Sequence, residues 1–475
     1  MDITFNYIRN RLREYSKKEL LDFCYLYLDL SKEERRSIWF IFLLMKWTYL
    51  YAEEKYPIKK LTEDKYVKIL NAVSNFNQEH ISSFIKDKNI DRAFYILHSQ
   101  QFYLQKSVYK EVFAIQLKLY NSLTGKYDIN KSFEEKTGFS IFDFISLTQI
   151  VWLYINIEQL PERGLKFEGI LENDLLEVAS EITSREKVKS FLQLLVLNPL
   201  NPVEKILDFK RNINKVELQS METTFFTIFP FQIHNNQIKL VHKSVFIHTI
   251  NYYVYDYLKS NDEFFPTEFG RRFEKYIELG IKEMEYKYKT EKQLEKILKE
   301  KSNLIDFQLE NDNIYLECKA VEIQAISMVN PTEEILYNSM KGSILKAYFK
   351  QLLNVSKQIS PNEENWGIIL TYKELFWSRF TNLYELGKDK FDNSSDFMIM
   401  PPENVFLIDI YTWDRIVQIV KDKKATLLEI LQKAKLNNSN DETAKALFSM
   451  HLDEYNLERF DLSFLKDELK SLEFK

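Results

Sequence analysis

Leu304-Ile305-Asp306-Phe307-Gln308-Leu309, then Glu310-Asn311-Asp312-Asn313, then Ile314-Tyr315-Leu316-Glu317-Cys318-Lys319, reads as a β-hairpin: two largely apolar runs on either side of four turn-forming residues. A turn centred on Asn311-Asp312 pairs Leu309 with Ile314 and Phe307 with Leu316, and it sets Asp306 opposite Glu317. Directly opposed Cβ atoms in an antiparallel pair lie about 4.5–5.5 Å apart, a spacing at which like charges are destabilising. Ile314, Leu316, Cys318 and Ala320 line one face of the second run, and Lys319, two residues beyond Glu317, shares the carboxylates' face. Two opposed carboxylates and an amine suit a hard divalent cation. Mg²⁺, or Mn²⁺ in its place, takes one or two carboxylates together with water and substrate phosphate. Such an ion relieves the repulsion, polarises a phosphorus–oxygen bond and acidifies water, while a lysine orients that water and offsets developing charge. An acid-x-base triplet alone says little, since this composition yields about ten by chance. The opposed Asp306 and the apolar neighbours single this one out.

Moving outward, residues 264–287 read as a helix with an apolar stripe of Phe269, Phe273, Ile277, Ile281 and Met284, and Glu274 stands at its edge as a third acidic group. Residues 332–359 read as a long helix with the stripe Met340, Ile344, Ala347, Tyr348 and Val355. Gln351 projects from the middle of that stripe, where a buried amide needs partners such as the lysine, water or substrate. Lys346 and Lys350 on the other side of that helix, with Arg271 and Arg272, are candidates for contact with nucleic-acid phosphates. Residues 367–372 and 405–410 read as strands, so the order is helix, strand, strand, helix, strand, strand, helix, a mixed α+β pattern.

Glu274, then Ile305-Asp306, then Glu317-Cys318-Lys319, then Gln351 resembles the PD-(D/E)XK nuclease superfamily, the restriction-endonuclease-like fold, over residues 263–415. Phe269-Gly270-Arg271-Arg272-Phe273-Glu274-Lys275-Tyr276 is similar to the first core helix of many bacterial defence nucleases. Ile305 stands where the family's name has proline. The resemblance implies an αβββαβ core with Asp306, Glu317 and Glu274 on Mg²⁺, Lys319 activating water and Gln351 assisting. It also implies an endonuclease that hydrolyses phosphodiesters to 5′-phosphate and 3′-hydroxyl ends, DNA ahead of RNA, in anti-phage defence. The alternatives are an RNA-cleaving enzyme of the same fold, or an inactive scaffold that keeps the fold.

The rest of the chain sets the frame. Its 475 residues predict two or three domains: an all-α region over 1–220 for recognition or partner binding, a β-hairpin and helix over 221–262, the core over 263–415, and a helical extension over 416–475. Residues 9–28, 32–51, 64–81 and 102–123 carry helical spacing, with breaks near 87–91, at Pro161-Glu162-Arg163-Gly164 and at Asn198-Pro199-Leu200-Asn201-Pro202. Thr223 to Phe229 and Ile238 to His242 predict a hairpin about His234-Asn235-Asn236-Gln237. With only 9 glycines and 10 prolines, a glycine-rich cofactor fold is excluded. Two cysteines, Cys24 and Cys318, exclude a disulfide scaffold. The opening Met1-Asp2-Ile3-Thr4 is not laid out as a signal peptide and no apolar run approaches a membrane span, so the expected setting is cytoplasmic. A net charge of −5 means that a nucleic-acid partner meets a local basic surface; a homodimer or a defence-system partner subunit is the other expected association. No His-Glu-x-x-His or phosphate-loop motif is present.

Overall fold

In the computed structural model the hairpin forms in the expected register, with Phe307 opposite Leu316, Gln308 opposite Tyr315 and Leu309 opposite Ile314. The structure describes residues 3–34, 38–52, 59–86, 95–97, 111–157, 179, 183–197, 221, 224–234, 237–322, 324–377, 379–391, 396–440, 442–457 and 460–473. The expected breaks at 87–91, 161–164 and 198–202, and residues 102–110 of the fourth expected helix, lie outside the described residues.

Among the described residues are eight strands: β1 Val196–Leu197, β2 Phe231–His234, β3 Gln237–Leu240, β4 Tyr288–Thr290, β5 Phe307–Leu309, β6 Ile314–Lys319, β7 Trp366–Thr371 and β8 Val405–Asp409. The last five form one mixed sheet in the order β4-β5-β6-β7-β8. β4–β5 and β5–β6 pair antiparallel, whereas β6–β7 and β7–β8 pair parallel. All six residues of β7 are buried, as a strand covered by helices on both faces requires. Helix Phe265–Glu283 packs on β6, and so does the segment Ala347–Leu352. This is a mixed α+β architecture.

Local chemistry sets the element ends. Asp262 accepts from the Phe264 and Phe265 amides at 3.0 and 3.3 Å, and Pro266 falls in the first turn of helix Phe265–Glu283, where its missing N–H costs nothing. That helix stops four residues short of the expected 287, and Glu285 then takes a left-handed φ of 61°. The turn releases β4 to extend the sheet, a third strand that the αβββαβ order implies and the residue pattern did not locate. The expected helix over 332–359 is interrupted: Glu333–Met340 ends at Lys341-Gly342-Ser343, and the chain resumes as Ile344–Lys346, a π-helical turn over Ala347–Leu352, and Leu353–Ile359. A π turn takes in an extra residue and re-aims the side chains on it, Gln351 among them.

Contacts divide the chain into two units with boundaries other than those expected. One holds residues 1–108, 142–256 and 328–330; the other holds 109–141, 257–327 and 331–475. Segment 109–141 therefore belongs with the five-stranded sheet rather than with a domain over 1–220, because Tyr120 stacks on Phe269 at 5.7 Å. The stretch after 415 is likewise no appendage: helix Ile410–Lys421 buries Trp413, Ile416 and Val417 and packs on helix Phe265–Glu283.

The first unit is mainly helical, with Phe5–Leu12, Lys17–Glu34, Ile38–Tyr51 and Glu63–Lys86 at its start and the small sheet β1-β2-β3. Its hairpin turns between His234 and Gln237 as expected, but the first strand lies closer to the turn than the expected 223–229. Residues 225–227 form a 3₁₀ turn capped by Thr224, and the first long strand is β2. Burial of Phe225 and Phe226 overrides the strand preference of that aromatic run. Gln232 accepts from the Tyr25 hydroxyl at 3.0 Å and the Tyr49 hydroxyl at 2.5 Å, and His234 Nε2 lies 2.6 Å from Asp22 Oδ1. Trp39 and Trp47 are buried core residues. No single helix among the described residues is long and apolar enough to cross a membrane.

Candidate active site

The site is built on the end of the β5–β6 hairpin. Asp306 stands just before β5, and its Oδ2 accepts from the Cys318 amide at 2.6 Å, so the carboxyl is pinned across the ladder beside Glu317. Glu317 on β6 is 3% exposed. Its Oε1 accepts from Lys319 Nζ and, at 2.6 Å, from Gln351 Nε2. Gln351 Nε2 also donates to the Leu304 carbonyl at 2.8 Å. The π-helical turn thus ties the residue before the hairpin to the carboxylate on its second strand. Gln351 was expected to reach the lysine, water or substrate; among protein groups it reaches the carboxylate instead.

Electrostatics mark the place. Burial, then the Asp306 charge, pushes the Glu317 carboxyl well above the ordinary carboxylate range. Burial also raises Asp306, against the lowering effect of its bond from Cys318 and of the Lys319 charge. Burial, followed by the charges of Asp306 and Glu291, pushes Glu274 up to about 7. Three carboxyls on three elements therefore share one patch and resist ionising together. Lys319 and Arg271 act in the opposite direction on Glu274. Glu291, at the start of helix Glu291–Ile297, was not anticipated. Its amide donates to the Asp306 carbonyl at 3.0 Å, a consequence of β4 that the sequence pattern did not signal.

The donor set suits a hard cation. Glu317 Oε2 is buried and has no hydrogen-bond partner, and Gln351 Oε1 is in the same state. A buried carboxylate oxygen without a donor is costly unless a proton or a cation meets it. Among the described residues no three His, Cys, Asp or Glu side chains draw together closely enough to cage an ion by themselves. Mg²⁺ asks for less, one or two carboxylates completed by water and substrate.

The four candidate phosphate contacts part company. Arg272 is 4% exposed and spends its guanidinium on Glu268 and on backbone carbonyls, so it is an interior residue and not a phosphate contact. Arg271 has a side chain 49% exposed, 3.7 Å from Glu268, within electrostatic reach of Glu274. Lys346 is exposed. Lys350 is half-buried with its ammonium 5.9 Å from the Phe391 ring. No family model, curated protein or solved structure matches the chain.

Proposed function

We propose that the unit built on the five-stranded sheet is a divalent-cation-dependent nuclease hydrolysing nucleic-acid phosphodiesters, DNA in the first instance, with anti-phage defence as its setting. The observation that carries the reading is the buried Glu317 carboxylate: Lys319 and Gln351 both donate to its Oε1, Asp306 is pinned beside it by the Cys318 amide, and its Oε2 has no hydrogen-bond partner. The order of Phe265–Glu283, β4 to β6, residues 344–359 and β7 supports it, since the resemblance to PD-(D/E)XK nucleases asks for helix, three strands, helix, strand; here short helices are added, Glu291–Ile297 between β4 and β5 and Ala325–Val329 and Glu333–Met340 after β6.

Asp306 and Glu317, with Glu274 beside them, would hold Mg²⁺ or Mn²⁺, which when bound would supply Lewis-acid polarisation and a more acidic water. The chain's own groups do the rest. Gln351 fixes the Glu317 carboxylate in rotation through a bond to Oε1 while anchored on the Leu304 carbonyl. The Cys318 amide does the same for Asp306. Lys319 Nζ, on the carboxylate face with its side chain 20% exposed, is placed to donate to a phosphate oxygen and to offset the charge that develops there. Arg271 and Lys346 offer outer charge to the backbone of the nucleic acid.

The test is a Mn²⁺ and Mg²⁺ titration of thermal stability beside a cleavage assay on DNA and total RNA. Carboxyls raised in the folded state contribute stability that is fully present below their unfolded values and lost as pH rises through their folded ones. The cation-free protein should therefore lose stability between about pH 5 and pH 8, and metal should raise Tm more at about pH 8 than at about pH 5.5. A flat response at both values, with no cleavage of either substrate, abandons the reading. An inactive scaffold would bind the metal and leave both nucleic acids intact.

Lys346→Ala is expected to weaken nucleic-acid binding several-fold and to reduce the slope of log affinity against log salt by about 0.9, with cleavage at saturation unchanged. Filter binding over a salt series reads both quantities.

A further inference from the structure

Residues 118–127 are no part of the sheet, yet they grip the helix that carries Glu274. Arg272 donates from Nε to Glu268 at 3.0 Å, from Nη1 to the Leu119 and Tyr120 carbonyls at 3.3 and 2.7 Å, and from Nη2 to the Tyr127 carbonyl at 2.9 Å. Glu268, 1% exposed, accepts in return from the Lys126 amide at 3.2 Å. Gly125 lies so close that a Cβ there would fall on the Glu268 carboxylate. Lys275 Nζ donates to the Thr124 carbonyl at 2.7 Å, and the Tyr120 hydroxyl lies 2.7 Å from that of Tyr372, the residue after β7. Lys118–Ser122 is itself a π-helical turn.

Apolar packing of Phe269, Phe273 and Ile277 would bury this helix, but packing of that kind is weakly directional. A planar guanidinium spread over one carboxylate and three carbonyls is directional, and it fixes both the rotation of the helix and its position along its axis. Glu274 stands two residues beyond Arg272 and one before Lys275, between the two points of attachment. We propose that Arg272 is a positioning residue: its clamp on residues 118–127 sets the Glu274 carboxyl against Asp306 and thereby sets the cation affinity of the site. This inference rests on the reading of the site given above.

The test compares Mn²⁺ binding, by calorimetry on the full chain, in wild type, Arg272→Lys and Arg272→Ala. Circular dichroism checks that each is folded at the assay temperature. Mn²⁺ should bind Arg272→Ala about 10- to 100-fold more weakly, the size of effect seen when a ligand's supporting partner is lost. Lysine keeps the charge but not the fork, so Arg272→Lys should fall between. About 10 mM guanidinium should refill the vacated site, restoring affinity to Arg272→Ala and changing nothing in wild type. Should Arg272→Ala fail to fold, the double variant Glu268→Gln, Arg272→Met removes both buried charges together and takes its place with the same expected loss. A folded variant that binds Mn²⁺ like wild type overturns the positioning role, for a merely structural clamp lowers Tm and leaves the folded site intact. Wild type that binds no Mn²⁺ overturns the reading of the site and the positioning role with it, and that failure shows before any residue is changed.

Discussion

Lys319→Ala should lower the rate of phosphodiester cleavage by about three orders of magnitude, with the fold unchanged and Mn²⁺ still bound. The size follows from the two tasks open to that ammonium: proton management at a reacting water is worth about 10²–10⁴-fold, and one donor aimed at developing charge about 10²–10³-fold. The contrary role is a plain ion pair that holds Glu317 in place. That role predicts a loss of stability and little else, and the geometry argues that even the stability loss is small. Glu317 already sits in surroundings that favour its protonated form, so without Lys319 it takes up a proton instead of remaining as an unpaired buried charge. Gln351 still holds Oε1 in either state. Lys357→Ala, which breaks an exposed pair with Asp396, is the matched control and should change neither rate nor Tm. Purified Lys319→Ala that cleaves at the wild-type rate removes the lysine from the chemistry, whatever else the site does.

How much of this was legible in the sequence depends on the range of the forces involved. The hairpin register was legible because turn residues and alternating apolar positions are local, and one slip would have turned Glu317 to the other face. Asp306, Glu317 and Lys319 come with that register. Glu274 was legible only as the edge of an apolar stripe; its approach to Asp306 depends on how a helix and a hairpin meet. The break in the second helix was within reach, since Gly342 and Ser343 sit in it, but apolar spacing ran across it and masked it. The π turn that aims Gln351 at Glu317 leaves no such mark, because its residues Ala347-Tyr348-Phe349-Lys350-Gln351-Leu352 are ordinary helix formers or core fillers. The interior fate of Arg272 was hidden for a different reason. Its partners are carbonyls some 150 residues upstream, and a carbonyl has no sequence signature. The 223–229 run misled because aromatic and β-branched residues serve a buried turn as well as a strand.

Asp306→Asn should move activity and stability in opposite directions, the largest contrast available at this site. An asparagine has nearly the same shape, and its carbonyl oxygen can still accept from the Cys318 amide. What it removes is a buried negative charge set among Glu317, Glu274 and Glu291. The raised Asp306 carboxyl adds stability that is full below its unfolded value and lost as pH climbs through the folded one, while asparagine does not titrate at all. Wild type should therefore fall behind the variant progressively from about pH 5 upward. At about pH 8 without metal the variant should melt a few degrees higher. The same substitution deprives the cation of one of its two opposed carboxylates, so the Mn²⁺-induced rise in Tm and the cleavage of nucleic acid should both disappear. Melting curves at about pH 5 and pH 8, each with and without Mn²⁺, give four numbers, and the order expected is specific. Metal-free variant exceeds metal-free wild type at the higher pH, and wild type with metal regains the difference. A structural aspartate, kept because its charge strengthens the bond from Cys318, predicts the reverse: a variant less stable wherever the aspartate is ionised, and a metal response unchanged. A functional one is retained at a cost to the resting fold, because the charge that destabilises the empty site is the charge that binds the ion.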